Sequence, residues 1–393
     1  MRTETEESRI VAYLEGRISS ANAEETQREL LTIMENHPGR TLELDAGGLE
    51  YISSAGLRVL MLLARKQNNT LTVRNVTPEV YEILEMTGFT SILNVKKKLR
   101  ELSVEGCEII GRGAVGTVYR IDEDTIVKVY EMPDSIPMIE NEQKRAKQAF
   151  LKGIPTAISY DVVKVGEHYG SVFELLKATD YNDLIREAPE RKEKIVREYA
   201  DFLRQIHSIE MDGEELPEAK TVFLGYLDAL GSVLPEDLGL RLRGLLEAMP
   251  ENLHFIHGDI HMKNVMLSGD EPLLIDMETL CVGDPVFDLQ GLYVTYRAFG
   301  EDDPDNAMEF LGIPDELADY IWKRTLDFYF SDRDAASRPE LEAKIRILAY
   351  VNFLYLLTVL DVGREDLMPI RIKHTLEHLR ELAGRVDSLA IGI

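Results

Sequence analysis

Along the first hundred residues, apolar positions alternate between a period of two and a helical period. Ile10-Val-Ala-Tyr-Leu-Glu-Gly-Arg-Ile18 reads as a strand, and Ala21 to Asn36 reads as a helix with Leu30, Ile33 and Met34 on one face. Thr41-Leu-Glu-Leu-Asp45 reads as a second strand and Ser54 to Lys66 as a second helix. Thr70 to Val73 and Val80 to Met86 repeat the pair. Strand and helix alternating over so short a length predict an α/β sandwich, a mixed sheet with helices packed on it.

The pattern changes after about residue 104. Ile109 and Ile110 lead into Gly111-Arg-Gly113-Ala-Val-Gly116-Thr-Val118, and Val118-Tyr-Arg-Ile121 follows. Apolar residues on both sides predict strand–turn–strand, whereas a dinucleotide site needs strand–turn–helix. In a hairpin, glycines let backbone N–H groups approach phosphate oxygens. The next strand, Thr125-Ile-Val-Lys128-Val-Tyr130, carries a lysine among β-branched residues. That position suits an ammonium partnered by phosphates, or an edge strand protected from aggregation. Ile139 to Lys152 reads as a charged helix and offers Glu140 and Glu142 as ion-pair partners for Lys128.

The densest chemistry lies in His257-Gly-Asp259-Ile-His261-Met-Lys-Asn264 and the Leu-Leu-Ile-Asp276 that follows. An Asp five residues before an Asn can present a carboxylate to a hydroxyl and a carboxamide to Mg²⁺ from one loop. An Asp ending the next apolar strand can hold Mg²⁺–ATP. Phosphoryl transfer needs an oriented nucleophile, a metal and positive charge on the phosphates, and little covalent help. The bland reading makes Asp259 and Asn264 turn residues bonded to backbone. His257 reads as a structural hydrogen-bonding residue, His261 as a loop residue, and Asp288 as a cap or brace for the loop around Asp259.

Taken in order, these segments resemble the kinase-like phosphotransferases that include aminoglycoside phosphotransferases and choline kinases. The resemblance covers residues 104–393 and rests also on Gly153-Ile-Pro155, Gly283-Asp284-Pro285 and Asp288. It implies a bilobal protein kinase-like fold, with a β-rich small lobe over about 104–176 and a helical large lobe over about 177–393. It implies Asp259 as catalytic base, Asn264 and Asp276 as Mg²⁺ ligands, and Gly111, Gly113, Gly116, Val118 and Lys128 around the ATP phosphates. Glu142 is favoured over Glu140 by its distance to Gly153. Phe173-Glu174-Leu175-Leu176 would be the hinge, touching adenine through its backbone. Ile-Asp-Met-Glu stands where protein kinases have Asp-Phe-Gly, and no Ala-Pro-Glu segment follows. Both departures favour a small-molecule acceptor.

Residues 1–98 carry a second resemblance. Leu49-Glu-Tyr-Ile-Ser53-Ser54-Ala-Gly56-Leu57-Arg-Val-Leu60, with Val76-Thr-Pro-Glu-Val80 and Thr87-Gly-Phe89, is similar to the switch segment of STAS domains, the anti-sigma-factor antagonists. The resemblance implies regulatory phosphorylation at Ser54, with Ser53 in place of the usual Asp, and an anti-sigma-like partner. A phosphate there would meet the positive end of a helix dipole. The same serine also reads as a plain N-cap.

Composition narrows the classes. At 393 residues the chain exceeds what one core serves, which predicts two domains joined by a short linker carrying Lys96, Lys97, Lys98 and Arg100. Two cysteines exclude a disulfide framework, and the start lacks signal-peptide character. Ile347 to Leu360 is too short to span a bilayer and reads as a buried helix. A cytoplasmic protein is expected, with no membrane partner. Residues 1–100 hold 13 basic and 14 acidic side chains, so nearly all of the −26 net charge falls in the remainder. Such acidity disfavours nucleic acid. It suits a cationic hydroxylated substrate, or serves only solubility. Tyr293, Tyr296, Trp322 and Phe328-Tyr329-Phe330 offer an aromatic cage for an amine, or are core. Three functions follow: a small-molecule kinase with a STAS regulatory module, a protein kinase acting on a STAS serine, or an ATP-binding switch without turnover.

Overall fold

The computed structural model describes residues 1–6, 8–113, 115–211 and 216–392. The chain divides into two units, one of Met1–Ser103 with Val162–Glu167, the other of Val104–Asp161 with His168–Ile393.

In the first unit, β-branched and alternating segments form β1 (Thr3–Thr5), β2 (Arg9–Ile18), β3 (Thr41–Ile52), β4 (Thr72–Val76) and β5 (Asn94–Lys97). They lie side by side in that order. β1 pairs antiparallel with β2, and the remaining pairs are parallel, so the sheet is mixed. Period-two alternation puts Ile10, Ala12 and Leu14 of β2 and Leu42, Leu44 and Ala46 of β3 into one core. Three helices supply the rest: α1 (Ala23–Asn36) through Leu30, α2 (Ser54–Lys66) through Leu57, Leu60 and Leu63, and α3 (Pro78–Met86) through Val80 and Leu84. β3 does not stop at Asp45 as its alternation predicted. It continues to Ile52, and register shifts against β2 absorb the irregular Gly47-Gly48 stretch. The short β6 (Arg100–Glu101) pairs in parallel with β10 (Asp161–Val165).

The second unit has a β-rich lobe and a helical lobe, the bilobal arrangement that the resemblance implies. β7 (Glu108–Arg112), β8 (Gly116–Arg120), β9 (Thr125–Tyr130) and β11 (His168–Glu174) form successive antiparallel pairs, with α4 (Ile136–Leu151) between β9 and β11 in the chain. β9 lies between β8 and β11, so Lys128 is not an edge-strand lysine. The helical lobe contains β12 (Thr179–Asp180), α5 (Tyr181–Glu187), α6 (Lys192–His207), α7 (Ala219–Ala229) and α8 (Glu236–Glu247). Short strands follow: β13 (Phe255–Ile256), β14 (Val265–Ser268), β15 (Glu271–Leu274) and β16 (Cys281–Val282). The lobe is completed by α9 (Val286–Tyr293), α10 (Asn306–Leu311), α11 (Asp315–Tyr329), α12 (Arg338–Thr358) and α13 (Met368–Ala383).

α12 is buried over most of its length, with Ile345, Ile347, Leu348 and Tyr350 fully inaccessible. It ends at Thr358, and Val359 and Leu360, expected inside a buried helix, are exposed beyond it. Among the described residues, no helix is long and apolar enough to cross a membrane. The aromatic residues offered as an amine cage all belong to the core. Tyr293, Tyr296, Trp322, Phe328, Tyr329 and Phe330 are each at most 6% exposed. Helical spacing marks an aromatic face, and here that face points inward.

Candidate functional site

The loop between β13 and β14 carries His257 to Asn264. Its path depends on Gly258, which has φ +85°, and whose missing Cβ would lie 2.6 Å from the Thr279 carbonyl. Around it the loop is pinned from several sides. Asp288, at the start of α9, is 1% exposed and accepts from the His257 N–H at 2.8 Å and the Gly258 N–H at 2.7 Å. The same carboxylate meets Nε2 of the buried His207 at 3.0 Å, and Nδ1 of His207 meets the Tyr329 hydroxyl at 2.8 Å. Thr279 donates its hydroxyl to the His257 carbonyl at 2.8 Å. The Tyr296 hydroxyl accepts from the Met262 N–H at 3.1 Å. His257 lies with Nε2 3.0 Å from the Ile275 carbonyl, a hydrogen-bonding position inside the fold.

This brace leaves Asp259 at the surface, its side chain 58% exposed. Asn264 donates Nδ2 to the Asp259 carbonyl at 2.8 Å and to its Oδ2 at 3.2 Å. The other carboxylate oxygen, Oδ1, faces Nε2 of His261 at 3.8 Å. His261 is more than an accessible loop residue. It is 8% exposed, its Nδ1 has no partner, and burial lowers its pKa, partly opposed by Asp259.

Asp276 follows β15 in the left-handed backbone region, with φ +64°. Its Oδ1 lies 2.5 Å from Nζ of Lys128. Lys128 is also 3.4 Å from both oxygens of Glu142, and the Tyr130 hydroxyl donates to Glu142 at 2.5 Å. Burial disfavours the charge on Lys128, but Glu142 and Asp276 outweigh it and hold its pKa above the usual lysine value. It is Glu142, buried with Ile139 and Ala146 on one face of α4, that meets Lys128, while Glu140 is exposed. Glu278 sits nearby, its pKa raised by burial and by the carboxylates of Glu142 and Asp276, against the pull of Lys128. Sequence reasoning passed over His207, since an isolated histidine in one sequence carries no spacing signal, and noted Glu278 only as the end of Ile-Asp-Met-Glu without giving it a role.

The glycine-rich turn joins β7 to β8, with the Gly113 N–H bonded to the Gly116 carbonyl at 2.9 Å. Ala114 within it lies outside the described residues. A Cβ at Gly116 would stand 2.2 Å from the Val129 carbonyl, so backbone packing on β9 already demands glycine there. Gly111 sits opposite Val118 across the hairpin. After β11, the Leu175 N–H is taken by the Asp124 carbonyl at 2.7 Å. Within β11, strand alternation then turns the backbone groups of Glu174 to the opposite edge, and Leu176 lies just beyond the strand. Asp284, part of the Gly-Asp-Pro turn, is 4% exposed and accepts from the N–H groups of Val286, Ile391 and Gly392, which ties down the chain's end.

In the first unit, the helix cap is Ser53 and not Ser54. The Ser53 hydroxyl accepts from the Gly56 N–H at 3.3 Å, and Ser54 is the first residue of α2 and exposed.

Asn264 and Asp276 are hard oxygen donors and fit Mg²⁺, which keeps water and phosphate oxygens and needs only one or two protein ligands. The Asn264 nitrogen is spent on Asp259, which turns its carboxamide oxygen to the other side. Among the described residues, no group of three or more His, Cys, Asp or Glu gathers at metal-binding distance.

Comparison with known proteins gives two family matches. The model described as "Phosphotransferase enzyme family" covers residues 106–320, and one described as "Mlab, STAS domain" covers residues 1–95. A protein of Bordetella bronchiseptica named "Putative anti-sigma factor antagonist BtrV" is 42% identical over 89 residues, 22% of this chain and 76% of its own length. Among solved structures, a choline/ethanolamine kinase family protein from Mesorhizobium loti aligns at 17% identity and TM-score 0.46, over 70% of this chain and 87% of its own. The streptomycin–ATP complex of APH(2")-IIa aligns at 18% identity and TM-score 0.44, over 77% and 97%.

Proposed function

This chain belongs to the phosphotransferase enzyme family, with a STAS domain of the anti-sigma-antagonist kind at its start; from that premise we propose that it transfers the γ-phosphate of ATP to a hydroxyl of a small molecule. The observation that carries the reading is a pair of contacts built from four segments: Asn264 holding the exposed carboxylate of Asp259 within one loop, and Lys128 of β9 bonded to Asp276 after β15 and to Glu142 of α4. Asp259 takes the proton of the acceptor hydroxyl. The hydroxyl oxygen forms a bond to the γ-phosphorus, the bond from that phosphorus to the bridging oxygen breaks, and ADP leaves with the electron pair. Lys128, oriented by Glu142, grips the α- and β-phosphates once Asp276 releases it. Gly111, Gly113, Gly116 and Val118 cover the phosphates, and Glu174 and Leu176 meet adenine through their backbone. Asn264 and Asp276 hold Mg²⁺, which when bound neutralises charge developing on the phosphates. His257 and Asp288 hold the loop. The protein works in the cytoplasm, where its nucleotide is supplied.

The test is nucleotide consumption with hydroxyl compounds as acceptors. Asp259→Ala should lose on the order of 10²–10⁴ in turnover with folding intact. Turnover retained in that variant would remove Asp259 from the mechanism.

A second reading is favoured by one observation. Ser53 performs the cap, so Ser54 stands exposed on the first turn of α2 with its hydroxyl not needed there. In this reading the enzyme phosphorylates a STAS serine, Ser54 in its own chain or the equivalent in a partner, and so controls binding of an anti-sigma-like protein. Phosphopeptide mapping after incubation with Mg²⁺–ATP separates the two readings. Label on Ser54 favours the second, and label confined to small acceptors favours the first.

A further inference from the structure

With Tyr293, Tyr296, Trp322 and Phe328 to Phe330 buried in the core, the acceptor side of Asp259 is built from other groups. Its two carboxylate oxygens differ. Oδ2 is held by Asn264 and faces the side of the loop read as metal-binding. Oδ1 faces His261 Nε2 across 3.8 Å, too far for a direct hydrogen bond. An oxygen atom seated between them could stand about 2.8 Å from each. The His261 ring meets Phe310 edge-on, with centroids 6.1 Å apart and planes at 80°. Phe310 is 52% exposed. Lys263 reaches across from the loop, with Nζ 5.1 Å from the Phe310 ring centre and 3.2 Å from its carbonyl. Outward from Oδ1 there is thus an imidazole, then an exposed phenyl, then an ammonium.

Resting on the kinase reading above, we propose that His261, Phe310 and Lys263 form the acceptor subsite, and that it takes a hydroxyl compound with an apolar or aromatic body and a neutral or anionic group, not a polyamine. His261 Nε2 meets the acceptor's hydroxyl oxygen while Oδ1 of Asp259 takes its proton. Phe310 receives the apolar body. Lys263 meets the anionic group. A cationic acceptor would have to approach a ring whose attraction for cations already serves Lys263, and would meet a like charge beside it. The chain's acidity is partly offset here, because two acids at the start of α5, one of which feels the charge of Lys263, have partners of their own. Asp180 caps α5, with Oδ1 2.7 Å from the Asp183 N–H, and Asp183 pairs with Arg186 at 2.9 Å. More distant charge is screened by salt.

The experiment uses the full chain holding Mg²⁺ and a nonhydrolysable ATP analogue. Binding of 3-phenyllactate, benzyl alcohol, choline and kanamycin is followed by ligand-observed NMR in wild type, Lys263→Glu and Phe310→Ala. The wild type should bind phenyllactate more tightly than choline or kanamycin. Lys263→Glu should shift the phenyllactate-to-kanamycin affinity ratio by about tenfold or more towards the cation. Phe310→Ala should weaken phenyllactate and benzyl alcohol together. Tighter binding of kanamycin or choline by the wild type would overturn the proposal. So would a ratio that Lys263→Glu leaves unmoved, or a nucleotide-loaded protein that binds none of the four. Failure to take up the nucleotide at all would instead sink the kinase reading on which the subsite depends.

Discussion

Replacing Asp288 with alanine removes the acceptor of three donors at once, two of them on buried residues and one on the half-buried Gly258. The His257 and Gly258 N–H groups and, through Nε2, His207 all converge on its carboxylate within 3.0 Å. A buried donor left unsatisfied costs about 1–3 kcal/mol, and bonds to a charged acceptor lie at the upper end. The three together amount to roughly 3–9 kcal/mol, against a total of about 5–15 kcal/mol for a domain. Asp288→Ala should therefore unfold the second unit or leave it barely stable. Asp288→Asn keeps one oxygen and should cost about 2–4 kcal/mol, because an amide then faces a backbone donor. The assay is built into the chain. Its one tryptophan, Trp322, is 3% exposed in α11 and reports unfolding of this unit alone. Urea titrations followed by Trp322 fluorescence give both differences. A loss below about 1 kcal/mol in the alanine variant would refute the idea that Asp288 fixes the loop.

Other expectations follow from single contacts. Ser53→Ala should cost the first unit about 1 kcal/mol and Ser54→Ala only a few tenths, measured by circular dichroism on thermal unfolding; equal losses would contradict the cap assignment. Glu142→Gln removes the negative charge that partners Lys128 and leaves one oxygen where Lys128 and Tyr130 had two, and should raise the KM for ATP several-fold more than it lowers kcat. The pKa of His261 is lowered in the folded protein, so below its ordinary value of 6.5 the unfolded chain binds the extra proton first. Its contribution to stability is full above that pH and declines as pH falls below it. In nucleotide-free protein, wild type should lose more stability than His261→Gln between about pH 7.5 and 5.5, and parallel curves would show that the ring titrates normally.

Much of the fold was legible because each segment carries one unambiguous period. Alternation in Leu42 and Leu44 marks a strand half buried on a core, and the glycines between two apolar runs mark a hairpin. The choice of Glu142 is visible on α4 itself, since Ile139, Glu142, Ala146 and Ala149 share the buried face and Glu140 does not. What stayed hidden has physical causes. Helix starts shift by a residue, so Ser53 and Ser54 could not be told apart as caps. An inward aromatic and a substrate-facing aromatic have the same helical spacing, which is why Tyr293 and Trp322 could be read as cage or as core until their burial was seen. His207 acts through a contact 81 residues away in the chain, and no local pattern announces it. His261 looked like loop because burial of a loop side chain depends on what packs over it, here the α10 residue Phe310.

The central claim is tested most directly by following radiolabel from [γ-³²P]ATP and Mg²⁺ into hydroxyl acceptors and into the chain itself, with wild type and Asp259→Asn side by side. The account predicts transfer by the wild type and a loss on the order of 10²–10⁴ in the variant, with nucleotide affinity retained. Equal transfer by both proteins, or none by a wild type that binds the nucleotide, would contradict it.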